Sequence, residues 1–412
     1  MADKKGINNN NLKQGNRGLV LRLIATGACN TRIDLAKQTG LTKMSVSNII
    51  GEFIEQKIIC EEETEKIEGQ GRNPILLSVS KKAPKVIGLD IHRAECVAVL
   101  SDLKLNVIKM VRCPLNEGNS KDLYEIIFRL IDTVKGGVEQ SELLGIGVGG
   151  LGPVDIEKGM ILNPPDFYGL SDLAVTSVLQ EHYGLPVYMD SQYNCAAMAE
   201  QYYGIGKKLQ DFVFVGIMRG VGSGIVSDGS IFRNANGFTS ELGHVSVDWN
   251  GNPCACGNHG CLETYAGSEV IRERLKAVTG LDKSFQEFCE MAKERASEEI
   301  ETVFDDMIQK LACALTGTVN LLNPEAVIIG HEGYFIPERY LRRLEELVNR
   351  QKLSGDYRHV KILQSSFRDE AHILGCACTV LNRIFDGKDS FYQADRAFDD
   401  RYRRFSERRI IE

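Results

Sequence analysis

Across residues 16–79, apolar side chains recur three times at helical spacing and then twice at strand spacing. Leu19, Val20, Leu23 and Ile24 predict a first helix. A second is expected from Thr31, whose hydroxyl can cap while Asp34 answers three positions on. It should bury Ile33, Leu35 and Ala36 before Gly40 ends it. A third, starting at Thr42, sets Val46, Ile49, Ile50, Phe53 and Ile54 on one buried stripe. Strands over 58–60 and 75–79, around an acidic tip over 61–68, complete a wing.

The face of the third helix opposite that stripe carries Thr42, Lys43, Ser45, Ser47 and Asn48 near its start, the part of a recognition helix that reaches base edges. Hydroxyls suit phosphates or bases, Asn can read adenine, and Lys adds salt-sensitive backbone affinity. A helix, a Gly turn, a second helix and a wing predict a winged helix-turn-helix over 1–82 that binds operator DNA, with Thr31 and Arg32 also on its DNA surface. In the segment Gln70-Gly71-Arg72-Asn73-Pro74, Arg72 is slim enough to enter an A·T-rich minor groove, and the same residues also read as an ordinary turn.

Charge divides at the same place. Residues 1–82 hold 13 Lys+Arg against 9 Asp+Glu, a surplus of +4, which leaves −11 for the rest of a chain of net charge −7. A positive module on a negative body suits nucleic-acid binding by the module alone. At 412 residues the chain has room for two or three domains. Its apolar runs fall short of the ~18 residues of a membrane helix. The first residues are polar and lack a signal-peptide core, so a cytoplasmic protein is expected.

From residue 86 onward short β-rich runs ending in Gly alternate with amphipathic helical stretches, an α/β pattern. Strands are expected at 86–91, ending in the carboxylate of Asp90, and at 145–150 and 212–217, each running into a Gly-rich loop. Most of the 12 cysteines stand singly among apolar residues, as Cys96, Cys313 and Cys376 do, and read as core packing. Cys254, Cys256 and Cys261 instead crowd into eight residues. With His244 they offer three thiolates and an imidazole, a closed structural zinc set, although His259 competes for the fourth place.

The stretch from Glu241-Leu242-Gly243-His244 to Cys254-Ala255-Cys256-Gly257-Asn258-His259-Gly260-Cys261-Leu262-Glu263 resembles the signature of the ROK family, the repressors, open reading frames and kinases. Gly-Pro-Val-Asp at 152–155, Asn323-Pro324-Glu325 and Gly375 fit the same resemblance, and the added N-terminal module is that of the family's repressor branch. The resemblance implies a two-lobed, actin-like (ribonuclease H-like) sugar-kinase fold over 83–412 that binds a sugar between the lobes. It favours His244 as the fourth zinc ligand. It implies that Glu241, His244 and Glu263 hold sugar hydroxyls, with Gly152, Ser191 and Gln192 beside them. One winged helix reads too few base pairs for useful specificity, so a homodimer or homotetramer is expected to meet the DNA.

Where the family's kinases place an Asn-Asp-x-Asn element with a catalytic base, alignment through Asn194 puts Ser191 and Gln192, and Gln cannot take a proton. Asp190 lies two residues early. The family's Asp-x-Gly-Gly-Thr phosphate turn stands here as Asp90-Ile91-His92-Arg93-Ala94, and its Gly-Thr-Gly turn as Met218-Arg219-Gly220. A repressor without kinase activity is therefore expected. The rival readings are an active sugar kinase with an accessory DNA-binding domain and a DNA-binding scaffold without effector. A C-terminal run with Arg401, Arg403, Arg404, Arg408 and Arg409 reads as a helix covering a further surface.

Overall fold

The computed structural model describes residues 9–62, 75–233, 238–294 and 296–389. Three helices open it, α1 (Asn9–Ala25), α2 (Arg32–Thr39) and α3 (Lys43–Glu55). Thr31 caps α2 by accepting the Asp34 N–H at 3.1 Å, and Gly40 ends it in the left-handed region at φ 71°. Thr42 caps α3, taking the Ser45 N–H at 3.1 Å. Val46, Ile49, Ile50 and Phe53 are buried as their spacing requires.

Ile33 departs from the expectation and is 56% exposed. Leu35 sets the inward face of the short α2, and a residue two positions away lies about 200° around the helix. Strands β1 (Ile59–Glu62) and β2 (Leu76–Val79) pair antiparallel from Ile59↔Val79 to Glu62↔Leu76, forming the wing. Its tip, with Arg72, and the C-terminal arginines from Arg401 onward lie outside the described residues.

The body repeats one topology twice. Its first sheet is built from β3 (Lys85–Ile91), β4 (Glu95–Ser101), β5 (Val107–Pro114), β6 (Leu143–Gly150) and, after the short hairpin β7 (Val154–Asp155) and β8 (Met160–Ile161), β9 (Val187–Ser191). In the order β5-β4-β3-β6-β9, the first three strands are antiparallel and β6 and β9 run parallel to β3. Helices α4 (Leu123–Lys135) and α5 (Val175–Tyr183) cover one face, and α6 (Gln192–Tyr203) follows β9 directly.

The second sheet has β10 (Phe212–Ile217), β11 (Val221–Ser227), β12 (Ser230–Ile231), β13 (Ala326–His331) and β14 (Lys361–Gln364) in the order β12-β11-β10-β13-β14, again three antiparallel strands and then two parallel ones. Around it lie α7 (Glu263–Ala266), α8 (Ser268–Thr279), α9 (Phe285–Met291), α10 (Glu298–Leu322) and α11 (Glu338–Gln351). Cys313, expected inside, is exposed on α10, because that helix has a longer apolar run than its buried stripe can hold.

The last described helix, α12 (Ala371–Phe385), is buried along almost its whole length and crosses α6. A Cβ at Gly375 would stand 1.9 Å from the Cys195 carbonyl oxygen, so only glycine allows that approach. At its other end α12 receives α1, where a Cβ at Gly18 would stand 2.3 Å from the Ile384 carbonyl oxygen. One apolar core therefore runs from Val20, Ile50 and Phe53 of the helical module to Ile384 and Phe385, and on to α6. Among the described residues no helix is long and apolar enough to cross a membrane.

Candidate functional site

The chain after β12 folds back on itself through isolated bridges Ser246↔Cys261 and Pro253↔His259. This knuckle gathers the ligand atoms of His244, Cys254, Cys256 and Cys261 within 4.8 Å of one another. His244 Nδ1 lies 3.6 Å from Cys254 Sγ, and Cys256 Sγ lies 3.7 Å from Cys261 Sγ. His259, the competing fourth ligand, is exposed and stands outside this group. Three sulfurs and one imidazole at such separations could hold a metal ion, and the donor set fits tetrahedral zinc.

The knuckle also carries two carboxylates. Glu263, at the head of α7, lies 3.5 Å from His244 Nδ1 through Oε1, which also accepts from Cys254 Sγ at 3.2 Å. Glu241 lies in electrostatic range of both His244 and Glu263. A Cβ on Gly152, from the first lobe, would be 3.5 Å from Glu241 Oε1. Gly152, Glu241, His244 and Glu263 thus come together from both lobes.

Ser191 and Gln192 are used differently. The Ser191 hydroxyl caps α6 by accepting the Asn194 N–H at 3.2 Å. Gln192 is 2% exposed and turns inward, its Nε2 donating to Asp90 Oδ1 at 2.8 Å. Asp190 is fully committed as well. Its Oδ1 accepts from Ser191 N–H at 2.8 Å and Asn194 Nδ2 at 2.7 Å, and its Oδ2 pairs with Arg233 at 2.5 Å.

Behind Gln192 lies a buried polar group at the junction of the lobes. His372 Nε2 stands 3.7 Å from Asp90 Oδ2, and the His372 and His331 rings stack at 4.3 Å and 16°. Burial pushes the Asp90 carboxyl up to about 7. It holds His331 down at about 3 and His372 well below the ordinary imidazole range.

Tyr193 is a residue that sequence reasoning overlooked. Its ring packs over Gly222, where a Cβ would stand 2.0 Å from the ring edge, and its phenol is in electrostatic range of Glu241, Arg93 and Glu263. Burial first, then Glu241, raises the phenol above its ordinary value.

At the other end of the molecule, Thr42, Lys43, Ser47 and Asn48 are exposed at the start of α3 and Ser45 is half-buried. Thr42 and Ser45 spend their hydroxyls on each other at 2.9 Å. In α2, Thr31 bonds Asp34 at 2.7 Å and Arg32 pairs with Glu61 of the wing at 2.6 Å. Met44, also overlooked, is 75% exposed between Lys43 and Ser45. A helical wheel alone would have found it, since it lies about 200° from buried Val46.

A winged helix-turn-helix on a duplicated-lobe body, with a Cys₃His knuckle beside the junction of the lobes, defines a sugar-kinase-like architecture with a DNA-binding type of module in front. Residues 86–383 match the ROK family, and the chain belongs to that family. It is 30% identical over 387 residues to the xylose repressor of Caldicellulosiruptor bescii, across 90% of this chain and 96% of that protein. The crystal structure of a ROK family transcriptional regulator, a homolog of the E. coli Mlc protein, superposes with a TM-score of 0.76 at 26% identity, covering 92% of this chain and 98% of that one. The body shares its fold with a ROK family glucokinase from Streptomyces griseus solved with glucose and AMPPNP, at a TM-score of 0.64 and 22% identity over 71% of this chain and 98% of that one.

Proposed function

We propose that this ROK protein is a sequence-specific DNA-binding transcriptional repressor of sugar-uptake or sugar-metabolism genes, with residues 1–82 meeting operator DNA and residues 83–412 meeting a sugar. The observation that carries this reading is the exposed start of α3, with Lys43, Met44, Ser47 and Asn48 free to face a major groove on a module tied to the body through α1 and α12. Similarity to a named repressor across 90% of the chain supports it.

In this reading Lys43 supplies phosphate affinity, Asn48 reads a base edge, and the Met44 side chain meets the methyl group of a thymine. One winged helix reads too few base pairs for useful specificity, so two copies act on a palindromic, A·T-rich operator. The sugar lies against Glu241, His244 and Glu263, because a carboxylate can accept from two neighbouring hydroxyls at once. Zinc held by His244, Cys254, Cys256 and Cys261 would close the knuckle and fix the His244 ring beside the sugar.

Phosphoryl transfer is absent from this reading. Gln192 cannot act as a base, Asp190 has both oxygens engaged, and His92, Arg93 and Arg219 stand where glycine turns would cradle nucleotide phosphates. The reading is tested by selecting operator DNA with the purified full-length protein and then titrating monosaccharides, with and without ATP. Release of a selected palindrome by one sugar is expected. Sugar phosphorylation at about 1 per second or faster, without selective DNA binding, would replace it with the kinase reading.

A further inference from the structure

Tyr193, the second residue of α6, is held in place by the second sheet. Its ring lies over Gly216 of β10 and Gly222 of β11, which pair directly across the two strands. A Cβ would stand 2.8 Å from the ring at Gly216 and 2.0 Å from it at Gly222, and one at Gly224 would stand 2.4 Å from the Tyr193 carbonyl oxygen. The His331 ring lies 5.5 Å away, centroid to centroid. Three glycines thus leave the hairpin bare where it receives Tyr193, and a ring seated so closely on two strands cannot swing aside without moving them.

The phenol is in electrostatic range of Glu241, Arg93 and Glu263. Among the described residues it has no hydrogen-bond partner. Burial holds its proton on, so it can donate as well as accept. The side chains just before it are spent inside the protein. Gln192 bonds Asp90, the Ser191 hydroxyl takes the Asn194 N–H, and Asp190 is shared among Ser191, Asn194 and Arg233. What the start of α6 offers a sugar beside Glu241 and Glu263 is therefore the Tyr193 phenol and the edge of a fixed ring.

A hexose held by its ring hydroxyls at Glu241 and Glu263 also carries a hydroxymethyl arm. In a hexokinase-type site the hydroxyl of that arm meets the base, whose place in this chain alignment gives to Gln192. Here the amide is turned to Asp90 and the next side chain is the pinned tyrosine, so the arm would lose its polar partner and meet a ring instead. An aldopentose in its pyranose form presents the same ring hydroxyls without the arm. We infer that Tyr193 selects the effector: its ring shuts out the hydroxymethyl arm of a hexose, its phenol bonds a ring hydroxyl, and the sugar that fits is an aldopentose. This rests on the sugar-sensing reading above and names the class of sugar within it.

Sugars matched in pairs that differ only in the arm test the selection, by calorimetric titration of the full-length protein without DNA. D-xylose is set against D-glucose, L-arabinose against D-galactose and D-lyxose against D-mannose, with N-acetyl-D-glucosamine as a further sugar that bears the arm. In the pair that binds best, the pentose should bind about tenfold or more tighter than its hexose. Tyr193→Ala should weaken the pentose and narrow the ratio to about threefold or less, because space for the arm opens. Tyr193→Phe should keep the ratio and weaken the pentose about three- to tenfold, since only the phenol is lost. A loss of packing alone would weaken both members of a pair alike, so an unchanged ratio in Tyr193→Ala overturns the selection. A hexose or N-acetylhexosamine that the unaltered protein binds as tightly as any pentose overturns it too, and leaves the sugar-sensing reading intact. Pentose binding to Tyr193→Phe at full strength removes the phenol contact. If Tyr193→Ala does not fold, the unaltered protein and Tyr193→Phe still decide. No binding by any of these sugars at tens of millimolar removes the sugar-sensing reading and this inference with it.

Discussion

Gln192 Nε2 donates to Asp90 Oδ1 at 2.8 Å, joining the first residue of α6 to the strand that ends at the lobe junction. In the proposed reading this amide stands in place of a kinase's base, and in the structure it satisfies a buried carboxyl. Gln192→Ala should cost about 1–3 kcal/mol, the penalty for a buried acceptor left unpaired, as measured by chemical denaturation. Gln192→Asp should give no sugar phosphorylation and should destabilise the fold, since it sets a second carboxyl against one already pushed up to about 7.

Stability should fall in acid because of the histidines behind that pair. His331 is held at about 3 and His92 at about 4, while the unfolded chain takes up protons near the ordinary 6.5. Their contribution is complete above about pH 6.5 and is lost as pH drops toward those values. Asp90 has the opposite sign: its carboxyl, raised to about 7, keeps a proton in the fold that the unfolded chain releases, so its contribution is complete below about pH 4 and is lost as pH rises to about 7. Melting temperatures compared at about pH 7.5 and pH 5 should show a shallower acid loss in His331→Asn and a steeper one in Asp90→Asn. Identical slopes in all three proteins would refute the assignment.

Purified protein should carry roughly one zinc per chain. Cys261, fully buried, and Cys254 are the ligands whose loss should matter most. Cys261→Ser should abolish the metal, and a strong chelator should lower the melting temperature of the unaltered protein but not of that variant. Metal analysis that finds no zinc in freshly purified, active protein would remove the metal from the knuckle.

On DNA, Lys43→Ala should weaken binding to all sequences and reduce the salt slope by about one unit. Asn48→Ala and Met44→Ala should instead cost about 1–3 kcal/mol on the selected operator and relax its base preference at separate positions. Equal losses on selected and random DNA for all three would show that α3 does not read the groove.

Glu241→Ala should leave operator affinity without sugar nearly unchanged and abolish the response to sugar. A difference of tenfold in sugar affinity between lobe arrangements, about 1.4 kcal/mol, is enough to shift operator occupancy. A Glu241→Ala protein that still releases DNA at the original sugar concentration would place the effector elsewhere.

Local pattern carried much of this architecture. The stripe through Val46, Ile49, Ile50 and Phe53 and the caps at Thr31 and Thr42 depend on neighbours within two helical turns, and they formed as spacing dictated. The Cys₃His group was legible because three of its members stand within eight residues. Ile33 was misplaced because a short helix has too few positions to fix its inward face. The contact of Gln192 with Asp90, 102 positions apart, and the stacking of His331 on His372 are products of the duplicated topology. No window of sequence contains both partners.

The close passage of α1 over the end of α12 at Gly18 should tie the two parts of the molecule into a single melting unit. Val20 and Phe53 share their apolar cluster with Ile384 and Phe385, so a fragment limited to residues 1–82 would expose a face that the intact chain keeps dry. Intact protein should therefore unfold in one transition at its N-terminal end, with no separate low-temperature step for the winged helix. In Gly18→Ala the gain in helix propensity, about 1 kcal/mol, is set against an overpacking cost of about 1–3 kcal/mol from a methyl group facing backbone. The cost should win and uncouple the two ends. Amide exchange would then show the recognition helix opening on its own, free of whatever state the sugar imposes on the lobes.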